Sequence, residues 1–438
     1  MSKHLRSIPG FVFILLTYFC HGQNYCLSDR FSETAFFDSS EIHVDSNITF
    51  SSPMHVFSQT PVNLNMDVYY PDMSTDSLAL RPFILLIHGG AFLAGSRKEL
   101  SYDCMEYARR GFVAATIDYR LGWNCQATDI LSICLFCQAY NPDLQTATYC
   151  AAQDARAALR YIHANASSYH IDPDYLFTGG ESAGAITALH ATFWDQTEAN
   201  TFDPSAISRA GLLDTAGNSF TDTYQIRAVI NSCGAVSKDS ILLNNGIIPV
   251  INFHDEFDCV VPAQYGQVIS CVCQPFYWAA GSGAIYSRLN ANGVCSQYHQ
   301  VPLSTNHCSF PKNQLIAKAS CFLKTLLCQN CQSSFSNQPG QPVSCSTLSG
   351  IPDVHQQVAD DFFILNEIST NHYQLKRNQY TGPVEFRLTD LSGKRMSTLS
   401  LKAEQDETEF SVESFASGIY FLFGESKNRQ QRIKIIKP

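Results

Sequence analysis

The sequence predicts an α/β protein whose mostly parallel sheet is flanked by helices, followed by a small β-sandwich. Up to about residue 331, short apolar strands alternate with runs of helical periodicity, the pattern of a parallel sheet covered on both faces. Farther along, short strands follow one another with turns at Ser392-Gly393 and Ser417-Gly418, the spacing of a small sandwich. The chain has 438 residues, which is long enough for both domains.

The first 22 residues are predicted to be an export signal. Lys3 and Arg6 give a basic start, and residues 8–19 form an apolar stretch that is too short to span a bilayer. Cleavage is expected near Gly22-Gln23. Phe19 is too large to precede a lipid-modified cysteine, so a lipid anchor on Cys20 is disfavoured. No later stretch of the sequence is predicted to be a stable membrane span.

The charge of the chain narrows the classes of partner. The net charge is −10 at pH 7, and basic residues cluster only at the extreme C-terminus. Nucleic acid and anionic membranes are therefore not expected as partners. Hydrophobic residues make up 45% of the chain, which supports a sizeable core.

Cysteine is unusually frequent in this chain. There are 17 cysteines, of which one lies in the predicted signal, and an even, high count in an exported protein favours disulfides. The pairs Cys134-x-x-Cys137 and Cys328-x-x-Cys331 also have the spacing of zinc ligands, an alternative that export disfavours. No metal is predicted, and the pairing of the cysteines does not follow from the sequence.

Residues 23–331 are predicted to form the α/β unit. Residues 81–87 are a near-continuous apolar run, as a strand in a sheet interior requires. Residues 151–164 have helical spacing. Residues 121–150 contain four cysteines and no clear period, so they are either a disulfide-stapled excursion that overhangs a site or a surface loop. Further strands are expected at 111–117, 226–230 and 248–253.

The most informative stretch is Gly180-Glu181-Ser182-Ala183-Gly184. A short β-prone run at 175–177 leads into it, and an Ala-rich run at 183–193 follows. The two glycines remove Cβ atoms where a strand turns abruptly into a helix, which places the Ser182 hydroxyl over the helix N-terminus. The helix dipole and free N–H groups favour a developing oxyanion there. We therefore predict that Ser182 is a nucleophile; the alternative is a glycine-rich turn whose serine only caps a helix.

A serine nucleophile needs a base beside its hydroxyl and an acid that orients the base. The expected chain order on this strand–turn–helix scaffold is Ser, then acid, then His. The run HDEFDCVVP after a predicted strand offers three acids, of which Asp258 is the predicted triad acid and Asp255 the alternative. His307, in a polar run that follows an apolar one, is the predicted base. His299 is the alternative base and lies in a strand-like stretch.

Donors for an oxyanion hole are expected from two places. One is the backbone N–H of Ala183, directly after the nucleophile. The other is the turn HGGAF at 88–92, where adjacent glycines leave backbone amides bare. Gly90 and Ala91 are the predicted donors in this turn. His88 either supports the turn or is a core histidine.

Two cysteines stand beside the predicted acid and base. Cys259 follows Asp258, and Cys308 follows His307. Because the acid and the base must form a hydrogen bond, their loops must lie close together. This gives the hypothesis that a Cys259–Cys308 disulfide clamps the two loops.

The composition changes after the α/β unit. Residues 332–357 are rich in Ser, Gln, Pro and Gly and are predicted to be a linker. Residues 358–438 contain no cysteine and are predicted to be a separate domain. Its short strands are expected at 362–365, 384–388, 409–412 and 419–423.

The motifs together resemble the α/β-hydrolase fold carboxylesterases and lipases. The resemblance covers about residues 60–325 and implies the α/β-hydrolase fold, with an eight-stranded, mostly parallel sheet, and hydrolysis of carboxylic esters. GESAGA is similar to the type B carboxylesterases, which use Glu as the acid. HDEFD is more similar to the HGxxD loop of smaller esterases, with Asp255 where Gly is usual. The matching parts are HGGAF at 88–92, DYRLG at 118–122, the stretch 151–185 and HDEFDCVVP at 254–262.

The C-terminal segment resembles the type A sorting domain of the type IX secretion system of Bacteroidetes. The usual Pro-Asn-Pro opening is absent, and Leu365-Asn366-Glu367 stands near its place. The resemblance implies passage to the periplasm by the signal, then across the outer membrane by the secretion machinery, with removal of this domain. The matching parts are LTDLSGKRM at 388–396, FASGIYFLF at 415–423 and KIIKP at 434–438.

The sequence therefore predicts a secreted serine carboxylic-ester hydrolase with the triad Ser182, His307 and Asp258. Its substrate is expected to be a small-molecule or glycan-linked ester, and no metal or organic cofactor is expected to take part. Two alternatives stay open: a secreted peptidase of the same fold, and a non-catalytic binding protein on a hydrolase scaffold.

Overall fold

The computed structural model describes residues 25–437, except 27, 75, 77, 124–140, 216, 245, 271–275, 346–362, 370, 378–381, 391–394, 417 and 427–428. The chain divides into two compact units, Met1–Leu348 and Ser349–Pro438. The predicted export signal lies outside the described residues, as do the zinc-like pair Cys134 and Cys137 and residues 124–140 of the predicted excursion. No helix in the described part of the chain is long and apolar enough to cross a membrane.

A nine-stranded sheet organises the described part of the first unit, in the order β1-β2-β4-β3-β5-β6-β8-β11-β12. Strand β2 is antiparallel to β1 and β4, and the remaining pairs are parallel. The eight predicted strands are thus present, and the short β12 extends the edge. A small antiparallel sheet has the order β7-β10-β9. The strands are β1 (Ile42–Ser51), β2 (Leu64–Pro71), β3 (Arg81–Ile87), β4 (Val113–Ile117), β5 (Ile171–Glu181), β6 (Ile226–Ser232), β7 (Ala235–Val236), β8 (Val250–Asp255), β9 (Tyr265–Gln267), β10 (Trp278–Gly281), β11 (Ser296–Val301) and β12 (Ser334–Ser336).

Helices cover both faces of the large sheet because its central strands are apolar on both sides. In β3, Phe83 and Leu85 pack into one core with the helices α2, α3 and α6, while Ile84 and Leu86 pack into a second core with α1 and α7. Alternating side chains of a strand point to opposite faces, so a continuous apolar run fills both cores. The predicted α/β architecture is confirmed. The helices are α1 (Ser101–Arg109), α2 (Asn141–Ala164), α3 (Ala183–Phe193), α4 (Gln196–Phe202), α5 (Ala206–Ala210), α6 (Ser282–Ala291) and α7 (Lys312–Leu327).

The segment predicted to be a linker from residue 332 begins instead as part of the first unit. Strand β12 pairs in parallel with β11, and Cys345 forms a disulfide with Cys321 in α7. The polar composition of this segment is explained by its position, since β12 is an edge strand with mostly exposed side chains. The end predicted at residue 331 is therefore too early for this unit.

Four disulfides can be described in the first unit: Cys26–Cys328, Cys233–Cys308, Cys295–Cys331 and Cys321–Cys345. They occupy both members of the zinc-like pair at 328 and 331, which favours disulfides over zinc there. The hypothesis of a Cys259–Cys308 disulfide is wrong, because Cys308 bonds to Cys233. The even cysteine count does not mean complete pairing, since Cys104 and Cys150 are free and buried.

The second unit is a small β-sandwich. Its described strands form two antiparallel sheets, in the orders β13-β14-β17 and β16-β15-β18-β19. Phe363 and Leu375 of the first sheet and Phe386 and Leu422 of the second belong to one buried core, as in a sandwich of two sheets. The strands are β13 (Phe363–Ser369), β14 (His372–Arg377), β15 (Val384–Asp390), β16 (Arg395–Leu401), β17 (Glu407–Ser411), β18 (Gly418–Ser426) and β19 (Arg429–Lys437).

Candidate active site

Ser182 occupies a sharp turn between β5 and α3. Its φ of 54° lies in the left-handed region, which a non-glycine residue rarely adopts. The flanking glycines are required by close packing: a Cβ at Gly180 would lie 2.6 Å, and one at Gly184 2.0 Å, from the carbonyl oxygen of Ile87. The Ser182 N–H donates to the Ser232 carbonyl at the end of β6, 2.9 Å away. The turn is therefore fixed by both neighbouring strands.

The hydroxyl of Ser182 belongs to a continuous series of hydrogen bonds. Ser182 Oγ lies 2.8 Å from His307 Nε2, and His307 Nδ1 lies 2.6 Å from Asp258 Oδ2. An ionised carboxylate only accepts hydrogen bonds, so Nδ1 must carry the proton that it donates to Asp258. Nε2 is then the acceptor for the serine hydroxyl. The three predicted triad residues are brought together from the ends of β5, β8 and β11.

Asp258 is held as an anion although it is buried. Burial alone would raise its pKa, but hydrogen bonds from His254 and His307 and their charges lower the pKa of Asp258 to about 2. The backbone N–H groups of Val260 and Val261 donate to Oδ1 at 2.9 and 3.1 Å. The carboxylate is thus charged at neutral pH, and both of its oxygens have donors.

His254 supports this arrangement and was not identified from the sequence. It is buried at the end of β8, and its Nε2 lies 2.9 Å from the Val261 carbonyl and 3.3 Å from Asp258 Oδ2. Its Nδ1 lies 2.7 Å from Ser282 Oγ. His254 therefore contacts the same carboxylate oxygen as the base. Its place four residues before Asp258, at a strand end, is the signal from which it could have been found.

The alternative acid and base have other partners in the structure. Asp255 is buried and accepts hydrogen bonds from the backbone N–H of Ser309, at 2.8 Å, and from the Ser309 hydroxyl. His299 is buried within β11 and stacks on Phe253 with ring centroids 5.2 Å apart. Burial, with a smaller effect of the Lys318 charge, lowers the pKa of His299 to about 3. Neither is hydrogen-bonded to Ser182 or His307.

Replacing His299 by leucine is expected to preserve activity and to reduce the acid sensitivity of the fold. Because the pKa of His299 is lower in the folded chain than in the unfolded chain, its neutral burial contributes stability above pH 6.5 that is lost as the pH falls towards 3. A pKa lowered by this amount corresponds to a loss of about 4–5 kcal/mol in the free energy of unfolding between pH 6.5 and pH 3. Denaturant unfolding at pH 7 and pH 3.5 measures the difference.

The matched control for this variant is leucine at His43, whose side chain is 57% exposed. The His43 variant removes an exposed imidazole instead of a buried one, so the stability that it loses between pH 7 and pH 3.5 should be larger than the loss in the His299 variant. An inactive His299 variant with wild-type stability at neutral pH would contradict the assignment of the base to His307.

The predicted oxyanion donors lie around the nucleophile. Ala183 begins α3 directly after Ser182, and Gly90 and Ala91 have φ values of 102° and 54°. A Cβ at Gly89 would lie 3.3 Å from the Cβ of Ser182, so this turn packs directly against the serine. Positive φ at successive residues turns backbone N–H groups towards one side of a turn. The assignment of Gly90, Ala91 and Ala183 as oxyanion donors stays a prediction.

His88 supports the same turn. Its ring is fully buried and stacked on Tyr119, with centroids 4.4 Å apart, and its Nδ1 lies 2.8 Å from the Gly89 carbonyl oxygen. The Tyr119 hydroxyl donates to the carbonyls of His88 and Gly89 at 3.0 and 3.1 Å. Burial lowers the pKa of His88. It therefore braces the turn as a neutral ring.

Two described clusters bring possible metal-ligating atoms within 4.8 Å of one another: Cys233, His307 and Cys308, and Glu33, Cys321 and Cys345. In each cluster the two sulfurs are bonded to each other. Cysteine binds metals as a thiolate, so neither cluster is a metal site in its oxidised form.

Residues 52–218 match the carboxylesterase family, and residues 367–438 match the secretion system C-terminal sorting domain. Residues 52–218 are thus similar to the carboxylesterase family, and residues 367–438 are similar to the sorting domain. The resemblance drawn from its motifs is thus confirmed. The carboxylesterase match contains the turn at 88–92 and Ser182, whereas Asp258 and His307 lie beyond it.

Individual proteins similar to this chain match it over a limited length. The para-nitrobenzyl esterase of Bacillus subtilis (strain 168) is 34% identical over 125 residues, which are 28% of this chain and 23% of that protein. The neuroligin-like protein glit-1 of Caenorhabditis elegans is 32% identical over 124 residues, 28% of this chain and 15% of that protein. The chain thus spans less than a quarter of either relative.

Among solved structures, a truncated carbohydrate esterase from gut microbiota is similar with a TM-score of 0.43 and 15% identity. The similarity covers 67% of this chain and 100% of the esterase.

Proposed function

We propose that this protein is a secreted serine hydrolase that cleaves carboxylic esters through an acyl-enzyme. The observation that carries the proposal is the hydrogen-bonded series from Asp258 through His307 to Ser182, with distances of 2.6 and 2.8 Å. The match of residues 52–218 to the carboxylesterase family supports esters as the substrate class.

The proposed reaction begins with attack of Ser182 Oγ on the ester carbonyl. His307 Nε2 takes the hydroxyl proton while Asp258 keeps the proton on Nδ1 in place and stabilises the positive ring. The N–H groups of Gly90, Ala91 and Ala183 hold the oxyanion, a contribution of roughly 3–4 kcal/mol per donor. His307 then gives its proton to the leaving alkoxide, and the acyl group stays on Ser182.

The second half of the reaction uses water in place of the serine. His307 takes a proton from the water, which attacks the acyl carbonyl, and then returns the proton to Ser182 Oγ as the carboxylic acid leaves. These steps need only side chains, backbone N–H groups and water, so no metal or organic cofactor takes part in the proposed mechanism.

The proposal is tested by labelling and by substrate choice. Incubation with a fluorophosphonate probe, digestion and peptide mass spectrometry should find the label on Ser182. A panel of p-nitrophenyl and natural esters, from acetyl to palmitoyl and including feruloyl esters and acetylated sugars, should be hydrolysed, and it defines the acyl group that is preferred. Peptide amides of similar shape should be poor substrates.

The two alternatives predict different results in the same experiment. A peptidase would be labelled but would cleave peptide amides without preference for esters. A non-catalytic binding protein would neither react with the probe nor turn over any ester. Either result would refute the proposed function.

We also propose that the chain is exported by its N-terminal signal and carried across the outer membrane by a type IX secretion system. The match of residues 367–438 to the sorting domain supports secretion or display on the cell surface. Mass spectrometry of the mature extracellular protein should find the signal absent and the sorting domain removed.

A further inference from the structure

A disulfide joins the two sides of the candidate active site. Cys308 directly follows His307, and Cys233 directly follows Ser232, whose carbonyl accepts the Ser182 N–H at 2.9 Å. The Cys233–Cys308 bond therefore links the backbone that holds the nucleophile to the backbone that carries the base. Cys259, which directly follows Asp258, is also disulfide-bonded, but Cys308 is the cysteine that directly follows the base.

The backbone at both ends of this disulfide is strained. Cys233 has a φ of 50° and Cys308 a φ of 56°. Non-glycine residues persist in this region only where surrounding contacts hold them. For Cys233 these contacts include a hydrogen bond from its N–H to the Phe253 carbonyl, at 2.8 Å. Cys308 lies in a loop without helix or strand between β11 and α7, where the disulfide and the hydrogen bonds from Ser309 to Asp255 restrain it.

Hydrogen bonds hold the loop of His307 on both sides of the ring. On one side, the Leu303 N–H donates to Glu256 at 2.7 Å and the Ser304 carbonyl accepts from the Phe257 N–H at 2.8 Å. On the other side, Ser309 donates to Asp255. The His307 ring must reach the serine hydroxyl and the Asp258 carboxylate at once, and a displacement of about 1 Å is enough to lower catalysis about 100-fold.

We propose that the Cys233–Cys308 disulfide is a positioning element for His307, and that its reduction by a thiol switches the enzyme off. The inference rests on the proposed function of Ser182, His307 and Asp258. Cys308 is half-buried, whereas Cys233 is fully buried, so a small thiol reaches the disulfide from the side of Cys308.

The redox step is a thiol–disulfide exchange. A thiolate attacks Cys308 Sγ, forms a mixed disulfide there and releases the Cys233 thiolate, which takes up a proton. A second thiol attacks the mixed disulfide and releases the Cys308 thiol. Two protein thiols and one small disulfide result, so two electrons pass from the added thiols to the protein. Oxidised glutathione reverses the exchange.

The first experiment compares two disulfide deletions in the full chain. The double variant C233A/C308A should lower kcat for a p-nitrophenyl ester about 10- to 100-fold, while KM stays within about threefold. The rate of fluorophosphonate labelling should fall with kcat. The matched control is C295A/C331A, which removes the disulfide beside the opposite end of β11 and should leave kcat near the wild-type value.

The second experiment needs no variant, so it remains decisive if a double variant fails to fold. Wild-type protein is titrated with dithiothreitol, and thiols are mapped by differential alkylation. Activity should fall in step with alkylation of Cys233 and Cys308, and oxidised glutathione should restore it. A chelator is present throughout, because the reduced sulfurs and the His307 nitrogen are close enough to capture a metal ion and mimic the loss.

Full kcat in protein whose Cys233 and Cys308 are reduced would overturn the inference, as would equal loss of kcat in both double variants. These results are distinguishable from failure of the proposed function. If the proposed function were wrong, the oxidised wild-type protein would already lack esterase activity and probe labelling.

Discussion

Replacing Ser182 by alanine is expected to lower kcat/KM for a p-nitrophenyl ester by about 10⁴- to 10⁶-fold. The variant keeps the positioned imidazole and the oxyanion turn but has no atom that can form the acyl-enzyme. Residual activity would come from binding and oxyanion stabilisation alone. Steady-state kinetics with acetate and butyrate esters measure the loss, and thermal unfolding should show that the fold is retained.

The matched control is alanine at Ser287, which removes a hydroxyl that donates to the Gly283 carbonyl within α6. This serine lies outside the proposed machinery, so its loss should leave kcat/KM within about twofold of the wild-type value. Equal activity of the Ser182 variant and the wild-type protein would remove Ser182 from the mechanism and with it the proposed acyl-enzyme.

Helices and strands are predicted best from the sequence where the pattern of buried residues fits only one type of secondary structure. Strand β3 has the predicted bounds because its run of apolar residues fits only a strand buried on both faces. Helix α3 likewise has the predicted bounds, since the elbow fixes its start. Helix α2 begins at Asn141, before the predicted start at 151; its first turns lie within residues 121–150, whose sequence has no clear period and so gives no helical signal.

Strands of the second unit are predicted less completely. β14 (HYQLKR), β16 (RMSTLSL) and β19 (RQQRIKIIK) were not expected. They contain many charged and polar residues, and their apolar positions are too few to give a clear alternation. In the four-stranded sheet the expected strands β15 and β18 are central and β16 and β19 are at the edges. β14 is the central strand of the other sheet and contributes Tyr373 and Leu375 to the core, so its two apolar residues among polar ones give too weak a local pattern even for a central strand.

At the candidate site, the order of the residues along the chain helped to predict the triad, but the sequence did not predict which cysteines form a disulfide. The order Ser, acid, His favours the loops of Asp258 and His307, because parallel strands end at one edge of the sheet and bring their loops together, but it leaves Asp255 and His299 open as alternatives. The partner of Cys308 depends on which loops are neighbours at that edge. Cys233 follows β6, which lies beside β8 in the sheet, and this adjacency is a property of the fold rather than of local sequence.

Replacing Asp258 by asparagine is expected to lower kcat roughly 10⁴-fold with little change in KM. The carboxylate fixes the proton on His307 Nδ1 and balances the charge that the ring gains during attack. An amide at this position offers an N–H to the ring, which favours the tautomer with its proton on Nε2 and blocks its use as a base. Circular dichroism should show that the fold is retained, and steady-state kinetics measure the loss.

The matched comparison is asparagine at Asp255, the other acid of the same loop. Asp255 is bonded to Ser309 and not to His307, so its amide keeps an acceptor for the Ser309 N–H and kcat should fall less than about 10-fold. Each variant replaces one buried aspartate by asparagine, and the two positions are three residues apart. The ratio of their kcat values therefore measures the effect of contact with the imidazole. If the Asp255 variant lost more activity than the Asp258 variant, the acid would have been assigned to the wrong residue, since only the group that fixes the tautomer can produce the larger loss.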